Sequence, residues 1–316
     1  MPRPLKDFSG FVGQGLVVST LKRLLQGCAT SDKPLPHLLL TGRPGFGKTS
    51  LARSLATASG VTMHAIPSSS VTVLGLAKVL CGAARNDLVF VDEAHRLRAD
   101  VSMALNTALD VARVSDPDDP SGATFCDLPS VSLICATNRP GEMDRALRSR
   151  LLRLQIEPYT VRELTLIARR LCVHHGFTST PQAARRLAEV AAGPRDLGIW
   201  ISALATWCPG VAEVSQPVVD EFLRSVVGLD DHGLTPDLRS YLRAFGPHAS
   251  TKTLHTLVVQ LGLDHSSVAF EIEPELVQRG LVELRDRGRG LTPEGVRIVR
   301  ELIKADSASD EGLEAM

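Results

Sequence analysis

The chain has 316 residues, enough for two or three compact domains with sizeable cores. Its 35 basic and 35 acidic side chains cancel, so bulk charge announces no polyanion partner, and the 4% aromatic content argues against a base-stacking platform. The opening Met1-Pro-Arg-Pro-Leu-Lys-Asp7 is no signal peptide, no run approaches the ~20 apolar residues of a membrane span, and six cysteines without C-x-x-C spacing read as reduced thiols, so a cytoplasmic location with no membrane partner is expected.

Residues 1–15 read as an extended lead-in, followed by a helix over 16–27 and a polar linker with Pro34 and Pro36. His37–Thr41 is a short apolar strand, Gly42–Gly47 a glycine-rich turn and Lys48–Ser59 a helix. Asp87–Asp92 and Val131–Ala136 are further buried strands, Ala99–Val111 is helical, and Val114–Asp127 is a loop or hairpin rich in Asp, Pro and Ser. Strand runs alternating with helices predict an α/β fold, a parallel sheet covered by helices, over residues 1–158. From Thr160 the strand signals stop. Helices over 161–175, 180–192, 195–207 and 216–227 make an all-helical domain at 159–229. After a hinge at Gly228, helical patterns at 236–245, 251–261 and 266–279 and a hairpin over Leu281–Leu291 predict a winged helix at 230–304. The segment 305–316 reads as a disordered acidic tail.

Gly42-Arg43-Pro44-Gly45-Phe46-Gly47-Lys48-Thr49 fits the phosphate-loop pattern G-x-x-x-x-G-K-[ST], with Ser50 next in the following helix. Glycines let backbone N–H groups converge on phosphate oxygens, Lys48 brings a cation to the β- and γ-phosphates, and the Thr49 hydroxyl can ligate Mg²⁺. In Leu88-Val-Phe-Val-Asp92-Glu93-Ala-His95 an apolar strand ends in two acids. Asp92 is placed to hold Mg²⁺ through its water shell, and Glu93 to orient or deprotonate the attacking water. His95 serves either structural packing or a polar link to other domains. The predicted cofactors are ATP and Mg²⁺.

Further groups must stabilise the charge of the leaving phosphate. Asn138, at a strand end, is a candidate for the water or the γ-phosphate. Arg148 and Arg150 are candidates for a finger reaching a neighbouring subunit, with Arg150 preferred, and Arg195, at a helix start, could reach the γ-phosphate in cis. This order of phosphate loop, acid pair, strand-end Asn, Arg pair and helical-domain Arg is that of the AAA+ ATPases. Within them the chain resembles the RuvB family of Holliday-junction branch-migration motors over residues 1–300. The matching pieces are Arg3-Pro4, Phe11-Val-Gly-Gln14, the phosphate loop, Val91-Asp-Glu-Ala-His-Arg-Leu97, Asp127-Leu-Pro129 and Ala136-Thr-Asn138. They continue with Leu147-Arg-Ser-Arg150, Tyr159-Thr-Val-Arg-Glu-Leu164, Gly193-Pro-Arg195, Gly228-Leu-Asp230, Gln278-Arg-Gly-Leu281 and Arg287-Gly-Arg289.

The resemblance implies a lid role for the all-helical domain and an adenine pocket lined by Val12, Gly13, Tyr159 and Pro194. It makes Asn138 the first sensor, where the family usually has Thr, and Arg195 the second. Arg287 and Arg289 would approach the DNA backbone or minor groove. It further implies a homo-oligomeric, hexameric ring on double-stranded or junction DNA. Two departures stand out. The hairpin that docks the partner RuvA in the family is here Val114-Ser-Asp-Pro-Asp-Asp-Pro-Ser-Gly-Ala-Thr124, acidic and lacking an apolar tip, which weakens the case for a RuvA-like partner. The finger is followed by Leu151-Leu-Arg153 instead of Phe-Gly, and the wing lacks a preceding proline. The expected activity is ATP hydrolysis driving DNA translocation. The alternatives are a clamp-loader-like or transposon-type switch that loads a partner on DNA, and a nucleotide-gated winged-helix module with little turnover.

Overall fold

A computed structural model describes residues 8, 10–31, 33–119, 124–246, 250–286 and 288–314. The chain forms two units, Met1–Ile167 with Gly193–Arg195, and Ala168–Ala192 with Asp196–Met316.

The first unit is built on five parallel strands, β1 (Leu38–Thr41), β2 (Met63–Pro67), β3 (Leu88–Asp92), β6 (Ser132–Thr137) and β7 (Leu152–Gln155), in the order β2-β3-β6-β1-β7. Side chains alternate across a strand. Leu38, Leu40, Leu88, Phe90, Ile134 and Ala136 therefore share one face, where they pack with α1 (Gly15–Ser31) and α2 (Lys48–Ser59) through Leu21, Leu25, Leu51 and Leu55. Leu39, Val89, Val91, Leu133 and Cys135 share the other, against α3 (Val73–Gly82), α4 (Ala99–Val111) and α5 (Arg145–Ser149). Burial on both faces explains why β1, β3 and β6 read as unbroken apolar runs. The edge strands β2 and β7 carry no such run: Met-His-Ala-Ile-Pro and Leu-Arg-Leu-Gln are half exposed, and the sequence reading passes over both. Between α4 and β6, β4 (Arg113–Ser115) and β5 (Phe125–Asp127) form an antiparallel hairpin.

The register aligns Thr41 with Thr137 and Val91 with Cys135. The residues after β1, β3 and β6 thus emerge at one carboxyl edge, where parallel α/β sheets bind their ligands. That is how segments far apart in sequence become one site.

The unit's last helix, α6 (Val161–His174), starts at a capping box: Glu163 Oε2 accepts from Thr160 N and Thr160 Oγ1, both at 2.8 Å. The compact unit runs on to Ile167, past the expected boundary at residue 158.

In the second unit, α7 (Pro181–Val190), most of α8 (Pro194–Trp207) and α9 (Gln216–Phe222) bury Ala183, Leu187, Ile201, Leu204 and Phe222. A short parallel pair, β8 (Thr178–Ser179) and β9 (Glu213–Val214), interrupts the helices. A separate core gathers Leu238, Tyr241, Leu257, Val268, Leu276, Val282, Leu291 and Val299. It is shared by α10 (Pro236–Arg243), α11 (Leu254–Leu261), a helix from α12 (His265–Ser267) through a π-turn into α13 (Glu273–Gln278), the wing strands β10 (Val282–Arg285) and β11 (Gly288–Leu291), and α14 (Pro293–Glu314). This is the expected winged helix. One expectation is corrected: α14 continues to Glu314 through the segment read as a disordered tail. No proline interrupts the segment.

Candidate nucleotide site

The backbone from β1 into α2 takes conformations that only glycine adopts without strain. Gly45 and Gly47 have φ of +77° and +86°. Space is as demanding as conformation, since a Cβ on Gly45 would come within 2.8 Å of Arg195 Cβ. Gly47 caps α2 without a side-chain acceptor, so the first N–H groups of the helix face the loop.

Lys48 is 6% exposed, and its ammonium donates to the carbonyls of Gly42 and Arg43, both at 2.9 Å. Burial lowers its pKa, Glu93 and Asp92 pull the other way, and the charge of Arg195 adds to the lowering. Three other expected groups, Glu93, Asp92 and Arg195, therefore act on this one cation.

Thr49 Oγ1 donates to Asp92 Oδ2 at 2.8 Å, joining the phosphate loop to the acid pair. The other Asp92 oxygen accepts from Glu93 N at 3.0 Å. Glu93 has φ +49°, unusual for a residue with a side chain, which re-aims the chain as it leaves β3. His95 Nδ1 lies 3.5 Å from Glu93 Oε2 and shares a 2.9 Å hydrogen bond with Thr137 Oγ1. Burial lowers the His95 pKa, which favours the neutral ring at neutral pH. These contacts of His95 lie within its own unit, between Glu93 and the end of β6, rather than on a link to another domain. Next along, the Asn138 side-chain carbonyl is buried with no hydrogen-bond partner among the described residues. That is an acceptor awaiting a donor such as water.

At the other end of the loop, Tyr159 OH donates to Phe46 O at 3.1 Å, and the two rings meet edge to face at 5.9 Å. Phe46 also packs on Gly193, where a Cβ would lie 3.0 Å from its ring. Gly13 sits against Tyr159 and Glu163: a Cβ there would come within 2.8 Å of Glu163 Oε1. Gln14 fixes this approach by a two-way bond to Glu157, Nε2 donating to O at 2.7 Å and Oε1 accepting from N at 2.9 Å. Gly13 and Tyr159 of the expected adenine pocket are thus in contact, Pro194 lies between the two residues that pack on the phosphate loop, and Val12 is half-buried. Gln14 and Glu163 carried no assigned role in the sequence reading. The Thr160-x-x-Glu163 spacing signals the second; nothing local signals the first.

The finger candidates have partners within their own unit. Arg150 is bidentate on Asp110, Nε to Oδ1 at 2.9 Å and Nη2 to Oδ2 at 2.6 Å, and its Nη1 donates to Ala146 O at 2.8 Å. Arg148 donates to Pro140 O at 2.6 Å. The hydrogen-bonded Arg150 holds the Asp110 carboxyl below its ordinary range.

In the wing, the expected pair of DNA contacts divides. Arg287 lies outside the described residues. Arg289 keeps its guanidinium on Glu273, Nε to Oε1 at 2.7 Å and Nη2 to Oε2 at 3.1 Å. That carboxylate is 7% exposed and also accepts from Tyr241 OH at 2.8 Å. A buried carboxylate needs a fixed counter-charge, which the wing supplies.

The acidic hairpin does expose an apolar side chain, but in the strand: Phe125 is 61% exposed. No described helix is long and apolar enough to cross a membrane, and no group of three or more His, Cys, Asp or Glu with metal-site geometry occurs among the described residues.

Two family models match the chain, the Holliday junction DNA helicase RuvB P-loop domain over residues 2–156 and the RuvB C-terminal winged helix domain over residues 231–300. Among curated relatives, the Holliday junction branch migration complex subunit RuvB of Paracoccus denitrificans is 30% identical over 94% of this chain and 89% of its own length. That of Rubrobacter xylanophilus is 31% identical over 92% and 84%. Among solved structures, the RuvB Holliday junction branch migration motor of Thermotoga maritima superposes with a TM-score of 0.80 at 26% identity, over 94% of this chain and 98% of that one.

Proposed function

The chain belongs to the RuvB family of AAA+ ATPases, and on that premise we propose that it hydrolyses ATP to drive double-stranded DNA through branch migration at Holliday junctions. The observation that carries the proposal is the 2.8 Å contact between Thr49 and Asp92, which unites phosphate loop and acid pair in one P-loop ATPase site.

The roles follow from position. The N–H groups of Arg43 and of residues 45–50, with the Lys48 ammonium, bind the phosphates. Thr49 and Asp92 fit a Mg²⁺ ion, a hydroxyl and a carboxylate side by side, and the ion when bound neutralises phosphate charge. Glu93, steadied by His95, accepts the proton of the water attacking the γ-phosphorus, and Asn138 holds that water by its unpartnered carbonyl. The bond from the γ-phosphorus to the bridging oxygen breaks, and ADP leaves with the electron pair. Arg195, packed on Gly45, receives the developing charge in cis. Val12, Gly13, Tyr159 and Pro194 enclose the adenine. Arg150 serves the neighbouring site of a hexameric ring, held outward by Asp110 until a neighbour offers phosphate. The four-helix segment at 159–229 acts as lid, and the winged helix at 230–304 meets DNA through Arg287. The protein works in the cytoplasm. The acidic hairpin makes a RuvA-type partner a matter for direct binding measurement.

ATP turnover measured alone, with linear duplex and with a four-way junction, tests the proposal. Stimulation greatest on the junction is expected, with Glu93→Gln lowering the stimulated rate by about 10²–10⁴-fold while ATP still binds. Turnover indifferent to both DNAs would refute the motor reading.

A further inference from the structure

Two cysteines that play no part in the nucleotide site meet beneath the β4–β5 hairpin. Cys81 lies in the last turn of α3, and Cys126 is the middle residue of β5. Cys126 pairs across the hairpin with Val114, so the two side chains share a face. Val114 is buried, whereas Phe125 and Asp127 on the opposite face are exposed. The face carrying Cys126 is therefore the one turned to the core. Helix α3 lies there too, because β4 packs on it. Leu80, the residue before Cys81, lines a cavity of about 190 Å³ together with Ala112 and Leu128, which close the hairpin through a 2.7 Å backbone bond. The Cys126 thiol is near enough to Cys81 to help raise its pKa. Both residues are half-buried, within reach of a small oxidant, while Cys135 and Cys172 are buried.

We propose that Cys81 and Cys126 form a reversible disulfide that staples the β4–β5 hairpin to α3, so that the hairpin's freedom to move on the ATPase core depends on redox state. Bonding requires the sulfurs to close to about 2.05 Å. With hydrogen peroxide as oxidant the chemistry balances in two steps. Cys126 sulfur attacks one peroxide oxygen, the O–O bond breaks, and the departing hydroxide takes the thiol proton to leave as water. The resulting sulfenic acid is attacked at sulfur by Cys81, and its hydroxyl leaves as a second water with the Cys81 proton. Two thiols lose two electrons and two protons, and peroxide is reduced to two waters.

The surroundings shape the rates. Burial, the neighbouring Cys126 thiol and the carboxylates of Asp116 and Asp118 push the Cys81 thiol up to about 11. Cys81 therefore keeps its proton at neutral pH, which leaves Cys126 as the first nucleophile and makes oxidation slow. A thiol of high pKa is also a poor leaving group, so the disulfide once formed resists attack that expels Cys81. The device would be a lasting latch.

The test treats the full chain with hydrogen peroxide, blocks the remaining thiols with iodoacetamide, and digests without reduction for mass spectrometry. The expected product is a peptide pair joined through Cys81 and Cys126, lighter by two hydrogens than the sum of its parts, lost on treatment with dithiothreitol and absent from Cys126→Ser. Amide exchange across 113–119 and 124–127 should slow in the oxidised protein. Recovery of both cysteines as separate alkylated or sulfinic peptides, or a bridge from either to a different cysteine, would overturn the proposal. So would a bridge that leaves hairpin exchange unchanged.

Discussion

At the scale of single residues, Arg289 shows how a charge takes its meaning from what it touches. Two arginines flanking a glycine in a hairpin read naturally as a grip on phosphate, yet the Arg289 guanidinium lies flat against a nearly buried carboxylate. Glu273 in turn arrives on α13, sixteen residues earlier, and Tyr241 reaches it from α10. Removing one partner of such a pair leaves a buried charge uncompensated, at a cost of about 3–5 kcal/mol. Arg289→Ala should therefore lower the unfolding midpoint of the second unit in a denaturant titration. The double variant Arg289→Met, Glu273→Leu should recover much of the loss. If Arg289→Ala left stability untouched and weakened only DNA binding, the assignment of this residue to the wing's own packing would fail. Glu93 and His95 illustrate the converse. Their place after an apolar strand was legible, but the link through Thr137, forty-two residues from His95, was not.

At the scale of elements, the interior strands were legible because burial on both faces demands apolar runs, and the edge strands were not because half of each faces water. What holds the edge strand β2 in place is a polar clasp. Asp87, the residue before β3, accepts from Thr62 N at 3.1 Å, Ala84 N at 3.0 Å and His64 Nε2 at 2.8 Å. Burial works to raise the Asp87 pKa, but these hydrogen bonds outweigh it, led by His64, and hold the carboxyl below its ordinary value. A carboxylate with a depressed folded pKa contributes stability that is present above its unfolded pKa and lost as pH falls through the folded one. Acidification from neutral pH to about pH 2 should cost the wild type more unfolding free energy than Asp87→Asn, read from urea midpoints. Parallel losses in the two proteins would show that Asp87 titrates without coupling to folding. At neutral pH, Asp87→Ala should destabilise by about 1–3 kcal/mol, since two backbone N–H groups lose their acceptor.

At the scale of the whole molecule, the proposed ring requires that one subunit complete the site of the next. Arg150 is held within its own chain by Asp110 and Ala146, on the α4 and α5 side of the first unit. If the finger acts in trans, Arg150→Ala and Glu93→Gln should each abolish DNA-stimulated turnover alone. Mixed in equal amounts, they should regain about a quarter of the wild-type rate, because that share of neighbours pairs an intact Glu93 with an intact Arg150. No recovery in mixtures shown to co-assemble would place the finger elsewhere, with Arg148 the next residue to test.

The sequence alone determined those features whose chemistry is written in neighbouring residues. The glycine-rich loop, the acid pair at the end of an apolar strand, the interior strands, and the winged helix are each local patterns, because backbone conformation and side-chain alternation act over a few residues. Only the tertiary structure decided the pairings of distant groups. It set Arg195 on Gly45, Gln14 on the backbone of Glu157, Arg289 on Glu273, Arg150 on Asp110, and Cys126 beside Cys81. Each of these depends on which faces the packed sheet and helices bring within a few ångströms. No spacing along the chain encodes that distance, because it is set by the packing of many side chains at once.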